Sequence, residues 1–240
     1  MPIVTISVDC ESANSGKCYA RELVHVAESC NIPLTWLVYV SEKDPMSNVN
    51  LYHTEYYHRI PSWHEMGLLL DFHNSTGYIS DPQDRASAIR LGKDVLKQCH
   101  IKPTSFRAQS FDLLPDDIKI LEDIGILVDS SVCPGAQDKH AVAWPEWQTQ
   151  PYHPDYANLS KPGDAKLLMA PLSTYKGMAG YLDRGWDKLK PVLENCLNNC
   201  EVVNLALSDN VDNAETLKQT IELCKSKNAQ FVTLTYLAAR

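Results

Sequence analysis

With 240 residues, 44% of them apolar, the chain can bury a substantial core, and its length fits one α/β domain better than two small ones. A formal net charge of -8 argues against a nucleic-acid backbone or an anionic membrane surface as the main partner, because both attract basic patches. No apolar run reaches the length of a membrane span and no basic, then apolar, export signal opens the chain, so a soluble cytoplasmic protein is expected.

The chain opens on Ile3-Val4-Thr5-Ile6-Ser7-Val8, an apolar β-branched run that ends on Asp9-Cys10-Glu11. That pattern predicts a buried parallel strand over 2–9. Apolar residues at helical spacing over 20–30 lead to a second strand over 33–40, and a third follows over 66–71. Asp81-Pro82 sets a capping acid before a proline at the first helical position and starts a helix over 82–99. A strand over 103–106 precedes Leu114-Pro115-Asp116-Asp117, which places acids in the first turn of a helix over 115–124. Gly125 reads as its stop. Strands over 126–129 and 166–170 flank an irregular region, 131–165, rich in Pro, Trp, Tyr and His. A loop of that length in a compact domain is a candidate substrate-facing wall. Helices over 186–199 and 213–227 then alternate with strands over 202–208 and 230–234. This alternation predicts an α/β fold with a parallel sheet and right-handed crossovers, in a single domain over 1–240.

Asp9 and Glu11, spaced i, i+2 on extended chain, point the same way. In parallel α/β sheets the carboxyl ends of the strands face the ligand, which makes this pair a candidate for sharing one metal or one substrate, although a simple turn role for Asp9 is also open. The third and fourth strands add His73, Asp71 and Arg107 at the same end, a set suited to holding a cation and activating water. The eight cysteines show neither CxxC pairs nor the density of a small secreted scaffold and read as reduced thiols. Cys196 and Cys200, four apart on a predicted helix, read as core packing.

On three stretches in the right order the chain resembles the polysaccharide deacetylases with the NodB homology domain, carbohydrate esterase family four. Asp9-Cys10-Glu11 is similar to the family's first motif. His64-Glu65-Met66-Gly67 through His73 resembles its second, and Phe106-Arg107-Ala108 with Gly125-Ile126-Leu127-Val128-Asp129-Ser130-Ser131 its third. The ending, Val202 to Ser208 and then Phe231 to Leu234, is similar to the family's last repeat. The resemblance implies a distorted (β/α) barrel of about seven parallel strands. It also implies hydrolysis of an N-acetyl amide or an ester of a carbohydrate, or of a small N-acetylated molecule, by water bound to a divalent metal ion, zinc foremost. Asp9 would be the catalytic base, Arg107 would set it, and Glu11 and His73 would hold the metal.

The chain departs from that pattern at four places. Cys10 separates the two acids of the first motif, and Leu69 stands where the first of two metal histidines belongs, which leaves Asp71 as the replacement ligand. Gln109 stands for the third motif's proline, and Ser208, beside Asp209, for the histidine that closes the last motif. A site with one histidine fewer binds zinc weakly, and serine cannot act as an acid near neutral pH. The alternative implied is a catalytically inactive relative that binds a carbohydrate or a protein in the same cleft. Among the other side chains, His64 reads as packing a turn, and Arg107 could pair with Asp129 as well as with Asp9. Trp144, Trp147, Tyr152 and His153 could form an aromatic platform for a sugar ring, though loop packing is the commoner role.

Overall fold

The structure, a computed structural model, describes residues 1–11, 13, 17–40, 49–74, 77–135, 144 and 149–240. Strand β1 (Ile3–Cys10) is buried at every position and pairs in parallel with neighbours on both sides. Helix α1 (Ala20–Cys30) packs Leu23, Val24 and Ala27 inward and ends on Asn31 in a left-handed conformation. Strand β2 (Thr35–Val40) follows, then a short α2 (Val49–Tyr52) that continues as a π-helical turn, His53–Tyr57. Next come β3 (Glu65–Leu70), a small antiparallel hairpin of β4 (His73–Asn74) and β5 (Gly77–Tyr78), and α3 (Pro82–Gln98). The Asp81 side chain accepts from the N–H groups of Gln83 and Asp84, the cap its sequence predicts.

Strand β6 (Ser105–Ala108), α4 (Pro115–Asp123), β7 (Val128–Asp129) and β8 (Leu168–Met169) carry the sheet to its far edge. A hairpin of β9 (Thr174–Tyr175) and β10 (Met178–Ala179) leads through a 3₁₀ turn, Leu182–Arg184, to α5 (Trp186–Asn199). The chain ends with β11 (Val202–Ser208), α6 (Ala214–Ser226), β12 (Gln230–Phe231) and α7 (Leu234–Ala238). The main sheet runs β11-β1-β2-β3-β6-β7-β8, with β12 beside the start of β1. All its pairings are parallel. The expected distorted (β/α) barrel with an incomplete ring is therefore the fold.

Boundaries differ where side chains, not backbone, satisfy the chain. The strand expected over 230–234 stops at Phe231 because Leu234 donates its N–H to the Thr35 hydroxyl and begins a helix. The strand expected over 166–170 is a two-residue one, since Ala170 gives its carbonyl to the Asn204 amide rather than to a neighbouring strand. That contact bridges the open side of the ring. Asn204, on β11, also donates to Ser130 Oγ and accepts from Thr5, while Ser173 and Asn204 exchange two further bonds.

Arg85 is the main tie outside the barrel. Fully buried, it bonds Asp117 at the start of α4 and the backbone carbonyls of Ile79 and Asp112, with its guanidinium 3.4 Å over the Phe72 ring. Replacing Arg85 with Met leaves the buried Asp117 carboxylate unpaired, and a loss of about 3–5 kcal/mol is expected. Urea unfolding monitored by circular dichroism measures it, and a change below about 1 kcal/mol would show that the pair is not what fixes α3 against α4.

Candidate functional site

Alternation along β1 turns Ser7 and Asp9 toward the barrel interior, and the strand's end releases Glu11 at the rim. From β6, Arg107 reaches across the interior to meet them. Its Nη1 lies 2.5 Å from Asp9 Oδ1, its Nη2 donates to Ser7 and Ser130 hydroxyls, and its Nε donates to the Ser130 carbonyl. The guanidinium is 1% exposed, so this set of partners is what makes its burial tolerable. Of the two partners the sequence left open for Arg107, Asp9 is the one it contacts. Asp129 instead accepts from the Ser131 hydroxyl and N–H.

The second oxygen of Asp9 faces the Tyr181 hydroxyl at 3.3 Å. Glu11 accepts from the Gln109 amide at 2.9 Å and from Asn210, and its own N–H donates to Asp209. Asp209 is fully buried and also receives the Tyr56 hydroxyl at 2.8 Å. It therefore holds the chain just after β1 in place. Asp183 accepts from the Ser208 N–H and from Asn213, which fixes the end of β11 beside β1.

These groups surround a cleft of about 270 Å³ at the carboxyl ends of β1, β6 and β11, lined by Asp9, Glu11, Gln109, Tyr181, Asp183 and Ser208 among others. The segment after β6 that forms one wall holds two successive non-glycine residues in left-handed conformation, Ser110 at φ 56° and Phe111 at φ 61°. Backbone held there costs free energy, and such positions cluster at ligand sites. Burial, and then the neighbouring Asp9, push the Glu11 carboxyl up to about 7. Burial raises Asp9 and Asp183 as well, against the opposing effect of Arg107 on Asp9.

The expected metal ligands do not converge. Leu69 is fully buried on β3. The strand stops at Leu70, and the chain then turns into the β4–β5 hairpin, so Asp71 and His73 pair with each other (2.8 Å, Asp71 Oδ1 to His73 Nδ1) and Asp71 takes the Tyr39 hydroxyl. Glu11 lines the cleft, whereas neither Asp71 nor His73 does. Among the described residues no three His, Cys, Asp or Glu side chains come together to hold a metal ion. The donors present do not fit a three-ligand cation site.

The described aromatic residues of the long loop take the packing role. Trp144 is buried in the core, Tyr152 bonds the Leu159 carbonyl, and His153 lies 3.2 Å from the Leu167 carbonyl. Trp147 lies outside the described residues, as does part of the expected wall over 131–165. The walls described come from 107–111 and 181–183 instead. Tyr181 and Asp183 carry no sequence motif. The one signal was Gly180, where a Cβ would collide with Leu205 and which lets this turn pass close over β11. His64 packs as expected, accepting the Leu34 N–H.

The sequence matches no protein-family model and no curated protein. Solved structures do share its fold. A Mycobacterium smegmatis protein assigned as a polysaccharide deacetylase is 14% identical, with 99% of this chain and 88% of that one covered at a TM-score of 0.66. A Pseudomonas aeruginosa protein with the same assignment is 10% identical, with 99% and 89% covered at 0.65. A Bacillus anthracis CE4 family pseudoenzyme is 9% identical, with 99% and 66% covered at 0.60. At these identities the likeness establishes a common fold. Among the described residues no helix is long and apolar enough to cross a membrane.

The shifted groups set a pH dependence of stability. Glu11 and Asp129, both at about 7 when folded, have ordinary values of 4.5 and 3.8, so the folded protein binds their protons first and gains stability as pH falls from about 8. His64, lowered by burial to about 4 from 6.5, acts with the opposite sign, because the unfolded chain protonates first below about 6.5. Denaturant midpoints should therefore rise as pH falls from about 8 to about 5, with His64 offsetting part of the rise below about 6.5. Glu11→Gln should flatten the rise. A midpoint that climbs with pH over this range contradicts the assignment.

Proposed function

We propose that this chain is a divergent protein of the polysaccharide deacetylase type whose cleft binds a carbohydrate or a small N-acetylated molecule without the family's metal–water chemistry. The observation that carries the reading is the contrast between the two halves of the site. The half built on Asp9, Arg107 and Glu11 is assembled, while the half that needs two histidines on β3 has Leu69 in the core and His73 turned to Asp71.

The chemistry of the cleft suits such a ligand. Asp9, Glu11 and Asp183 are hydrogen-bond acceptors, and the guanidinium of Arg107 is already engaged on each of its nitrogens. The rim thus calls for hydrogen-bond donors, which sugar hydroxyls and an N-acyl N–H supply, and repels anions. Its volume of about 270 Å³ lies at the small end of ligand sites, which fits one ring or one acyl group rather than a long chain held along its length. The same fold occurs in a CE4 family pseudoenzyme, so the scaffold is compatible with the absence of that chemistry.

Hydrolysis of an amide or ester is the second reading, and the Glu11 carboxyl favours it. A group near 7 can take a proton from water or return it to a leaving group at neutral pH, with Asp9 and Tyr181 beside it. Without a cation, the developing oxyanion has no partner suited to that role among the described residues of the cleft.

The test combines binding and turnover with chitooligosaccharides. Calorimetry should show binding by the natural protein that weakens about tenfold in Glu11→Gln or Tyr181→Phe. Acetate release should be absent with or without added zinc, and should emerge in a Leu69→His, Ser208→His variant supplied with the metal. Zinc-dependent acetate release by the natural protein, abolished by His73→Ala, would overturn the binding reading in favour of the metal-dependent hydrolase.

A further inference from the structure

Helix α5 ends on two thiols whose contact with each other neither the fold nor the cleft requires. Cys196 lies in the last turn with 1% of its surface exposed, and Cys200, which caps the helix, is half-buried. The Cys200 N–H donates to the Cys196 carbonyl at 2.8 Å, which closes one helical turn and sets the two Cα atoms about 6 Å apart. That separation falls within the range of roughly 4.4–6.8 Å that a disulfide bridges. Side chains four apart lie one above the other on a helix face, with Cβ atoms about 5–6 Å apart. A disulfide needs about 3.5–4.5 Å, so closing one draws Cys200 in by about 1–2 Å. Cys200 is placed to make that move because it stands outside the helix, in extended conformation (φ -115°, ψ 144°), beside the exposed Glu201.

The two thiols also differ in role. The one Cys196 S–H faces two acceptors, the Thr174 carbonyl at 3.8 Å and the Cys200 sulfur. Donation from Cys196 draws the Cys200 thiol down to about 7, while the same contact and burial raise Cys196. Cys200 therefore holds thiolate, the nucleophilic form of cysteine, near neutral pH, and Cys196 keeps its proton beside it. Cys18, another half-buried cysteine, is placed differently: its sulfur lies 3.5 Å from the Asp209 carboxylate, which favours the thiol form.

We propose that Cys196 and Cys200 form a peroxide-responsive pair, in which Cys200 is the attacking sulfur and Cys196 the resolving one. The Cys200 sulfur attacks one oxygen of a hydroperoxide and the O–O bond breaks, giving a sulfenic acid and an alkoxide or hydroxide that takes up a proton. The Cys196 sulfur then attacks the Cys200 sulfur. An S–S bond replaces the S–O bond, and the Cys196 proton leaves with the displaced hydroxide as water. Two thiols are thus oxidised, and one hydroperoxide is reduced to an alcohol and water, or to two waters. The disulfide has no S–H to give, so the Thr174 carbonyl at the start of β9 loses that donor.

Tryptic peptide mapping of the full chain after brief treatment with hydrogen peroxide tests it, because the peptide Leu189–Lys218 carries both cysteines and no other. The expected peptide is lighter by two hydrogens, takes no alkylating agent, and recovers both thiols in dithiothreitol. Cys200 should react about tenfold faster than the half-buried Cys30. In Cys196→Ser a sulfenic acid should persist on Cys200 and react with dimedone. Cys200→Ser, a change at the half-buried helix end, should leave Cys196 unoxidised, and neither it nor the natural protein's map depends on how the buried Cys196→Ser folds. The pair is refuted if both thiols still take the alkylating agent after treatment, or if Cys200 joins another cysteine or passes to a sulfinic acid at one equivalent of peroxide. Reaction of Cys30 as fast as Cys200, or oxidation of Cys196 undiminished in Cys200→Ser, overturns it equally.

Discussion

One buried ion pair organises this protein. Arg107 crosses the barrel interior to Asp9, and its remaining donors fix Ser7 on β1 and Ser130 after β7. A guanidinium at that depth is tolerable only when it is fully satisfied, so strands far apart in sequence must arrive in one register to satisfy it. The register of β1 against β11 then brings Asp9 opposite Ser208, and Asp209 can close on the chain after β1. The cleft is the rim of that arrangement.

The open side of the ring obeys the same constraint. Strands β8 and β11 do not pair, yet the groups exposed between them are not left to water. Asn204 bridges to Ala170 and Ser130, and Thr5 and Ser173 complete the set around it. Through Ser130 this network joins the partners of Arg107, so the gap in the barrel and the base of the cleft form one hydrogen-bonded unit. Two side chains, Ser130 and Arg107, connect the gap to Asp9 by hydrogen bonds outside the apolar core.

Much of this was legible in the sequence, and the remainder has a physical reason for being hidden. A run such as Ile3 to Val8 that ends in acids announces a buried strand and a strand-end site, because burial and alternation are local consequences of residue type. The cap at Asp81-Pro82 and the stop at Gly125 are local in the same sense. His73 entered as a metal ligand through the family resemblance, which does not say where the third strand stops. It ends at Leu70, and beyond it the hairpin, not the sheet, decides where side chains point. Tyr181 and Asp183 were unreadable for a related cause: they enter the cleft from a short turn whose path over β11 is set by a close approach at Gly180.

The survival of Asp9 and Arg107 is weak evidence for catalysis on its own. Once such a pair is buried, losing either member strands the other charge, so the pair is held by stability whether or not chemistry continues above it. Features that cost stability and return none to the fold are better witnesses. Glu11 is kept half-buried beside Asp9 with its carboxyl pushed up to about 7. Ser110 and Phe111 hold strained backbone along the same wall. A fold that retains only a structural relic has no reason to maintain either, whereas a cleft that still receives a ligand does. The metal ligands show the opposite behaviour: Leu69 contributes to the core, so that half of the site has been given over to packing. On the reading proposed above, backbone strain beside a β3 that offers no histidine fits a cleft that binds a ligand better than one that cleaves it.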